Sequence, residues 1–221
     1  MKVRTVVLSV TLLCLALSAP AFAGTIFDDG PTNGQYNAFF VDGPNPGPFS
    51  QWIADQFVAT GSGTPGELDF GLWVPTGSTP TTITYWLGLN YLDSTISGGN
   101  PVTLNGGNSS LLISNNQYGY DVYEITLKNL TGGNMTSGQT YWLTLGNAND
   151  SFASQFDAWD VNEGPALCYF GVGGSFIGGC GDGGEAFTLS MGVSTVPEPG
   201  TMVMLGTGIL GLAGALRRKL F

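Results

Sequence analysis

From Gln51 to Val193 the chain repeats one device: a short run with apolar side chains at every second position, then a break rich in glycine, asparagine or serine. Ile53, Phe57 and Ala59 share one parity, Leu68, Phe70, Leu72 and Val74 the next, then Ile83, Tyr85 and Leu87. The pattern returns at Tyr123, Ile125 and Leu127, at Tyr141, Leu143 and Leu145, and at Phe187, Leu189, Met191 and Val193. A period of two sets every apolar residue of a run on one face of a strand; the three-to-four spacing of a helix is hard to find. Gly61-Ser62-Gly63, Gly98-Gly99-Asn100, Asn105-Gly106-Gly107-Asn108 and Thr131-Gly132-Gly133-Asn134 supply the turn chemistry between runs. Residues 24–195 are therefore expected to form an all-β domain, an antiparallel β-sandwich of jelly-roll-like type. About 170 residues are enough for one core of ordinary size.

The two ends read differently. Lys2 and Arg4 precede an apolar stretch from Thr5 to Ser18, and Ala21-Phe22-Ala23 places small residues where a signal peptidase reads. That is the layout of a secretory signal peptide, residues 1–23, cleaved after Ala23. At the other end Val196-Pro197-Glu198-Pro199-Gly200 interrupts regular structure, an apolar run spans Thr201 to Leu216, and Arg217-Arg218-Lys219 closes it. Sixteen residues as a helix reach about 24 Å, short of the ~30 Å hydrocarbon core. Gly206, Gly208, Gly211 and Gly214 make that helix weak and closely packing. Residues 201–216 thus read as a short transmembrane helix whose basic end stays cytoplasmic, leaving the domain outside.

Pro197-Glu198-Pro199, the short glycine-rich apolar span and Arg217-Arg218-Lys219, in that order, resemble the PEP-CTERM protein-sorting tail, also called the ice-binding protein C-terminal domain. The resemblance covers residues 196–221. It implies two processing partners, a signal peptidase and a membrane exosortase that reads the tail and cleaves near the triplet. It also implies a Gram-negative-type envelope, with a membrane-anchored precursor whose mature domain ends at the outer surface, released, or within extracellular polysaccharide. The body, through Asp55-Gln56-Phe57, Phe70-Gly71-Leu72-Trp73 and Tyr85-Trp86, is similar to other PEP-CTERM ectodomains, a likeness that implies no activity.

Charge and missing residue types narrow the domain's function. Between Gly24 and Val196 fifteen Asp and Glu face one base, Lys128, a net charge of −14. Such a surface repels phosphate backbones, which excludes nucleic acid as a partner. The chain has no histidine, which removes Ser-His-Asp and Cys-His nucleophiles and His-ligated zinc. Cys14 leaves with the signal peptide, so Cys168 and Cys180 remain, and in an oxidising compartment they are expected to form a disulfide. Closing so small a loop is worth about 3 kcal/mol. Gly61 to Gly66 and Gly179 to Gly184 match a dinucleotide-binding glycine pattern, but neither opens a helix.

The expectation is a non-catalytic protein of the cell envelope or extracellular matrix, with no required cofactor. The alternative is a carbohydrate-binding or carboxylate-dependent carbohydrate-active module, with ice binding ranked below it. Asp157, Asp160 and Glu163, with Trp159 among them, are the densest acids for glycosidic chemistry. Asp150, Asp157, Asp160 and Glu163, among Asn147, Asn149 and Asn162, are candidate calcium ligands, and Asp28-Asp29-Gly30 offers a second loop, though no EF-hand spacing is present. Trp73, Trp86 and Trp142 fall on the parity opposite the aliphatic set and are the candidate glycan platform, unless a second layer covers them. Thr82 and Thr84, with Thr140 and Thr144, suggest flat strand faces for ice or polysaccharide.

Overall fold

The computed structural model describes residues 24–35, 37–41, 51–152, 156–162, 164, 166–181 and 183–192. The signal peptide with Ala21 and Ala23, Glu163, and the tail with Pro197, Glu198, Pro199, the 201–216 run, Arg217, Arg218 and Lys219 lie outside the described residues.

In chain order the strands are β1 (Thr25–Asp28), β2 (Ala38–Phe40), β3 (Gln51–Val58), β4 (Pro65–Pro75), β5 (Pro80–Gly88), β6 (Ser97–Thr103) and β7 (Ser109–Ile113). They continue as β8 (Tyr120–Lys128), β9 (Thr140–Asp150), β10 (Ala158–Asn162), β11 (Leu167–Val172), β12 (Ser175–Gly179), β13 (Gly184–Glu185) and β14 (Phe187–Met191). No helix occurs among the described residues. The six runs that alternate most clearly in sequence are β3, β4, β5, β8, β9 and β14.

All strand pairs are antiparallel and fall into two sheets, as expected for a β-sandwich. One has six strands in the order β12-β11-β3-β9-β5-β6. The other has eight and is organised around β4. Strand β8 pairs with β4 from Glu67 to Pro75 and carries β7 outside it. The other edge of β4 is divided: β14, with β1 beyond it, takes the first part, and β10, with β2 and β13 beyond it, takes Leu72 and Trp73.

The core lies between the sheets. Ile53 and Phe57 of β3, Ile83 and Leu87 of β5, and Leu143 and Leu145 of β9 come from one side. Leu68, Phe70 and Leu72 of β4, Ile125 of β8, and Phe187 and Leu189 of β14 come from the other, and all are buried. Phe57 meets Phe187 of the opposite sheet at 5.3 Å and Phe27 at 4.6 Å between ring centroids. Removing one such ring costs about 3–5 kcal/mol, because the cavity left behind relaxes only partly.

One turn assignment shifts. Gly98-Gly99-Asn100 lies within β6 rather than between strands. Gly98 and Gly99 have φ of 96° and 87°, and a Cβ on Gly98 would come within 2.3 Å of the Tyr85 carbonyl oxygen. They form a bulge against β5, where the register slips between Thr84 and Trp86, so the glycines serve close approach of two strands rather than reversal.

Candidate functional site

Residues that alternate with the core set on β3, β9, β5 and β11 point away from the other sheet. Register places Gln56 opposite Trp142, Ala54 opposite Thr144, and Trp52 opposite Gly146. On the far side of β3, Tyr169 stands opposite Ala54 and Gly171 opposite Trp52. Trp86 stands opposite Thr144 on β5. Directly opposed residues share a face, so one surface collects Trp52, Trp142, Trp86 and Tyr169.

Glycine lets that surface build in layers. A Cβ on Gly171 would come within 2.1 Å of the Trp52 ring, and one on Gly146 within 3.1 Å of the Trp52 Cβ. With neither present, the indole lies down on the sheet, its Nε1 donating to the Gly173 carbonyl at 2.8 Å. Tyr91 stacks on it, with centroids 5.1 Å apart and planes 10° from parallel. Tyr91 also meets Trp142 at 6.1 Å and Phe176 at 5.9 Å, while Tyr169 meets Trp142 at 5.0 Å and Phe176 at 5.8 Å. Five rings thus form one contiguous patch. Its rim is open to solvent: Tyr91 is 37 % and Phe176 45 % exposed, with Leu167 at 55 % beside them on β11.

Two devices hold the rim. The segment joining β5 to β6 folds over the sheet, where Leu92, at φ 55°, donates its N–H to Thr144 Oγ1 at 3.3 Å. Asp93 ties that segment together by accepting from the Leu89 N–H (2.8 Å), the Thr95 N–H (2.9 Å) and the Thr95 hydroxyl (2.8 Å). Burial opposes the Asp93 charge, but these hydrogen bonds outweigh it and hold the carboxyl below its usual range. On the other side the expected Cys168–Cys180 disulfide is present, with Cα atoms 5.3 Å apart. It clamps the β11–β12 hairpin that carries Tyr169 and Phe176.

The predicted tryptophan platform is divided by the fold. Trp142 belongs to the patch. Trp86 shares its face on β5 and is half-buried. Trp73 belongs to the other sheet and is only 3 % exposed, its Nε1 donating to Asp160 Oδ1 at 2.7 Å. The correction has a simple cause: strand parity separates inward from outward, but it does not say which sheet a strand joins. Trp73 instead floors a concavity of about 220 Å³ lined by Asn37, Ala38, Phe40, Tyr118, Tyr120 and Ala158, with Tyr118 stacked on it at 5.7 Å. Of the threonines, Thr84 and Thr144 are buried, Thr82 is half-buried and Thr140 is exposed.

Among the described residues of the acidic run, Asp150, Asp157 and Asp160 do not converge as one group of ligands. Asp160 is buried and its carboxylate is taken up by the Asn33 N–H (2.7 Å), the Gly34 N–H (3.2 Å) and the Trp73 indole. Burial raises its pKa and those donors restrain the rise. Asp157 is buried, and Asp150, also buried, accepts from the Phe152 N–H at 3.0 Å. Among the described residues, the one group of three metal-capable side chains that converges within 4.8 Å is Cys168, Cys180 and Glu185, and its two sulfurs are joined to each other.

Glu185 belongs to a cluster that the sequence reading missed. Asp55 and Glu185 are fully buried, and Asp29 is 2 % exposed. The Glu185 N–H donates to Asp55 Oδ2, and the Ala166 N–H donates to Asp29 Oδ1 at 3.4 Å. Asp29 Oδ2, Asp55 Oδ1 and Glu185 Oε2 have no hydrogen-bond partner. Glycine again makes the room, for a Cβ on Gly184 would come within 2.2 Å of Asp29 Oδ2. Burial pushes the Asp29 pKa to about 6, partly offset by the Ala166 N–H and reinforced by the Asp28 charge. Burial drives Asp55 and Glu185 well above the usual carboxyl range; the Glu185 N–H restrains the rise at Asp55 and the Asp29 charge adds to it, while the charges of Asp55, Asp160 and Asp29 add to the rise at Glu185. Asp55 was detectable in sequence, since it shares the core parity of Ile53 and Phe57. Glu185, in a glycine-rich segment, carried no such signal, and neither did Tyr91 or Phe176.

Residues 195–219 match the family model of the PEP-CTERM protein-sorting motif. The match takes in Pro197, Glu198, Pro199, Arg217, Arg218 and Lys219. The chain thus carries an exosortase-type sorting signal, the mark of an exported, membrane-anchored precursor sorted to the cell envelope. No curated protein matches the chain.

Proposed function

We propose that this is a non-catalytic protein of the cell envelope or extracellular matrix, delivered by its sorting tail, that adheres to uncharged polysaccharide through the outer aromatic face of its six-stranded sheet. The observation that carries the reading is the contiguous patch of Trp52, Tyr91, Trp142, Tyr169 and Phe176, partly open to solvent and locked at both rims. Aromatic faces stack on the apolar C–H faces of sugar rings, and grouped rings left open to solvent, as Tyr91 and Phe176 are, are costly unless used. The net charge of −14 between Gly24 and Val196 favours an uncharged glycan over an anionic one.

A catalytic role has less support. Glycosidic cleavage uses two carboxyls about 5–10 Å apart across a cleft that admits substrate. Asp55, Glu185, Asp157 and Asp160 are all buried, and the oxygens of Asp160 are held by fixed donors.

A glycan array and co-sedimentation with purified extracellular polysaccharides, run with and without calcium, test the reading. Binding of a neutral glycan that weakens at least tenfold, about 1.4 kcal/mol, in both Trp142→Ala and Phe176→Ala is the expected outcome. No binding by the wild-type protein, or binding unaffected by either substitution, removes the aromatic face from the account.

A further inference from the structure

The Cys168–Cys180 disulfide has an unusual neighbour. Glu185 Oε1 lies 3.1 Å from Cys168 Sγ, and both side chains are buried. A disulfide sulfur has no proton to donate and repels the lone pairs of an ionised carboxylate, so this contact suits a Glu185 that carries the proton itself. The rest of the surroundings agree. Glu185 Oε2 has no hydrogen-bond partner, and the titratable groups facing Glu185 are Asp55 from β3, Asp29 beyond β1 and Asp160 from β10, all acids. The single base among the described residues, Lys128, is on the surface 3.6 Å from Glu67.

The two cysteines are not equivalent. Cys168 is buried at 4 % exposure, in β11, whereas Cys180 is half-buried just beyond β12. An incoming disulfide donor reaches Cys180 first. Cys168 must then act as the second thiol, shielded from the water and hydroxide that would otherwise take its proton.

We propose that Glu185 is the internal base that closes the Cys168–Cys180 disulfide. The oxidant is a small or protein-borne disulfide, RSSR. Attack by the Cys180 thiolate on RSSR gives a Cys180–S–S–R mixed disulfide and releases one RSH. The Cys168 thiol then passes its proton to Glu185 Oε1. The Cys168 thiolate attacks Cys180 Sγ, the S–S bond between Cys180 and SR breaks, and RS− leaves and takes a proton from water. Two protein thiols are oxidised, RSSR is reduced to two RSH, and the proton from Cys168 remains on Glu185. An ordinary glutamate is too weak a base for a thiol of pKa about 8.5. Burial beside Asp55, Asp160 and Asp29 raises the basicity of Glu185 toward that of the thiol, which is the match proton transfer needs.

The test uses purified protein reduced with dithiothreitol, then desalted and re-oxidised with oxidised glutathione. Acid-quenched samples are alkylated and read by mass spectrometry as dithiol, mixed disulfide and closed disulfide. In the wild-type protein, closure from a mixed disulfide on Cys180 should be fast. Glu185→Gln should slow that closure at least tenfold at pH 8, where a carboxyl raised toward the thiol can still accept a proton, leave formation of the mixed disulfide unchanged, and approach wild-type rates near pH 9.5, where hydroxide deprotonates Cys168. Glu185→Asp should recover part of the rate. Equal closure in the wild type and Glu185→Gln at pH 8, or glutathione found on Cys168 instead of Cys180, overturns the proposal. Circular dichroism shows whether reduced Glu185→Gln keeps its strands. If it does not, Glu185→Asp carries the test: its shorter carboxyl stands back from Cys168 Sγ, so closure slows at pH 8 and recovers near pH 9.5, whereas an unmoved closure profile overturns the proposal. Glycan binding plays no part in these readouts, so the adhesive reading stands or falls separately.

Discussion

Three buried carboxyls without a facing cation make the stability of this domain depend on pH in the direction opposite to the common one. Asp29 shows the magnitude. Its pKa rises from 3.8 to about 6, so the folded state holds a proton that the unfolded chain releases near pH 4. A group raised in this way contributes stability that is fully present below the unfolded value and is lost as pH rises through the folded one. About two pH units, at 1.36 kcal/mol each, give a loss of about 2 to 3 kcal/mol between pH 4 and pH 6.5. Asp55 and Glu185 shift in the same direction and extend the decline above that window, while Asp93, held low by its hydrogen bonds, works weakly against it. Urea unfolding followed by tryptophan fluorescence, from pH 3.5 to 8.5 at fixed ionic strength, measures the curve and holds screening of the general negative charge constant. Asp29→Asn should flatten the part between pH 4 and 6.5. Stability that is constant or rises over that range in the wild type, or an Asp29→Asn variant with the same slope, would refute the reasoning.

Two further outcomes follow from the packing and the tail. Gly171→Ala places a methyl group within 2.1 Å of the Trp52 ring, so the indole must lift from the sheet and break its stack with Tyr91. A loss of about 1–3 kcal/mol and a reduced near-ultraviolet circular dichroism signal are expected; an unchanged spectrum counts against the layered arrangement. Replacing Pro197-Glu198-Pro199 with alanines should leave uncleaved precursor in the membrane fraction of cells, and normal processing of that variant would separate the triplet from sorting.

Much of the architecture was legible because burial imposes a period of two. Ile53 and Phe57, Leu68 to Val74, and Phe187 with Leu189 announce inward faces without reference to any partner strand. The exceptions are instructive. Gly98 and Gly99 look like a turn because the same freedom at positive φ serves a bulge. The acids from Asp150 to Glu163 look like a ligand cluster because they are dense in sequence, yet Asp160 is spent on the Asn33 and Gly34 N–H groups and on Trp73, which only folding brings to it. The carboxyls that do gather, Asp29, Asp55 and Glu185, are more than twenty residues apart along the chain, and no local pattern can report them.

By itself the sequence determined six of the fourteen described strands, β3, β4, β5, β8, β9 and β14, with their inward faces, the cysteine pair and the sorting tail, because parity, thiol count and terminal charge are local properties. Tertiary structure decided which sheet each strand joined. Trp142 and Trp86 therefore share an outer face, whereas Trp73 lies beneath Tyr118 on the other sheet. It also decided that Tyr91 and Phe176, from a connecting segment and a hairpin, complete the aromatic patch, and that Glu185 meets Cys168. Those contacts join residues distant in sequence, and their energy exists only once two sheets have paired and closed over one core.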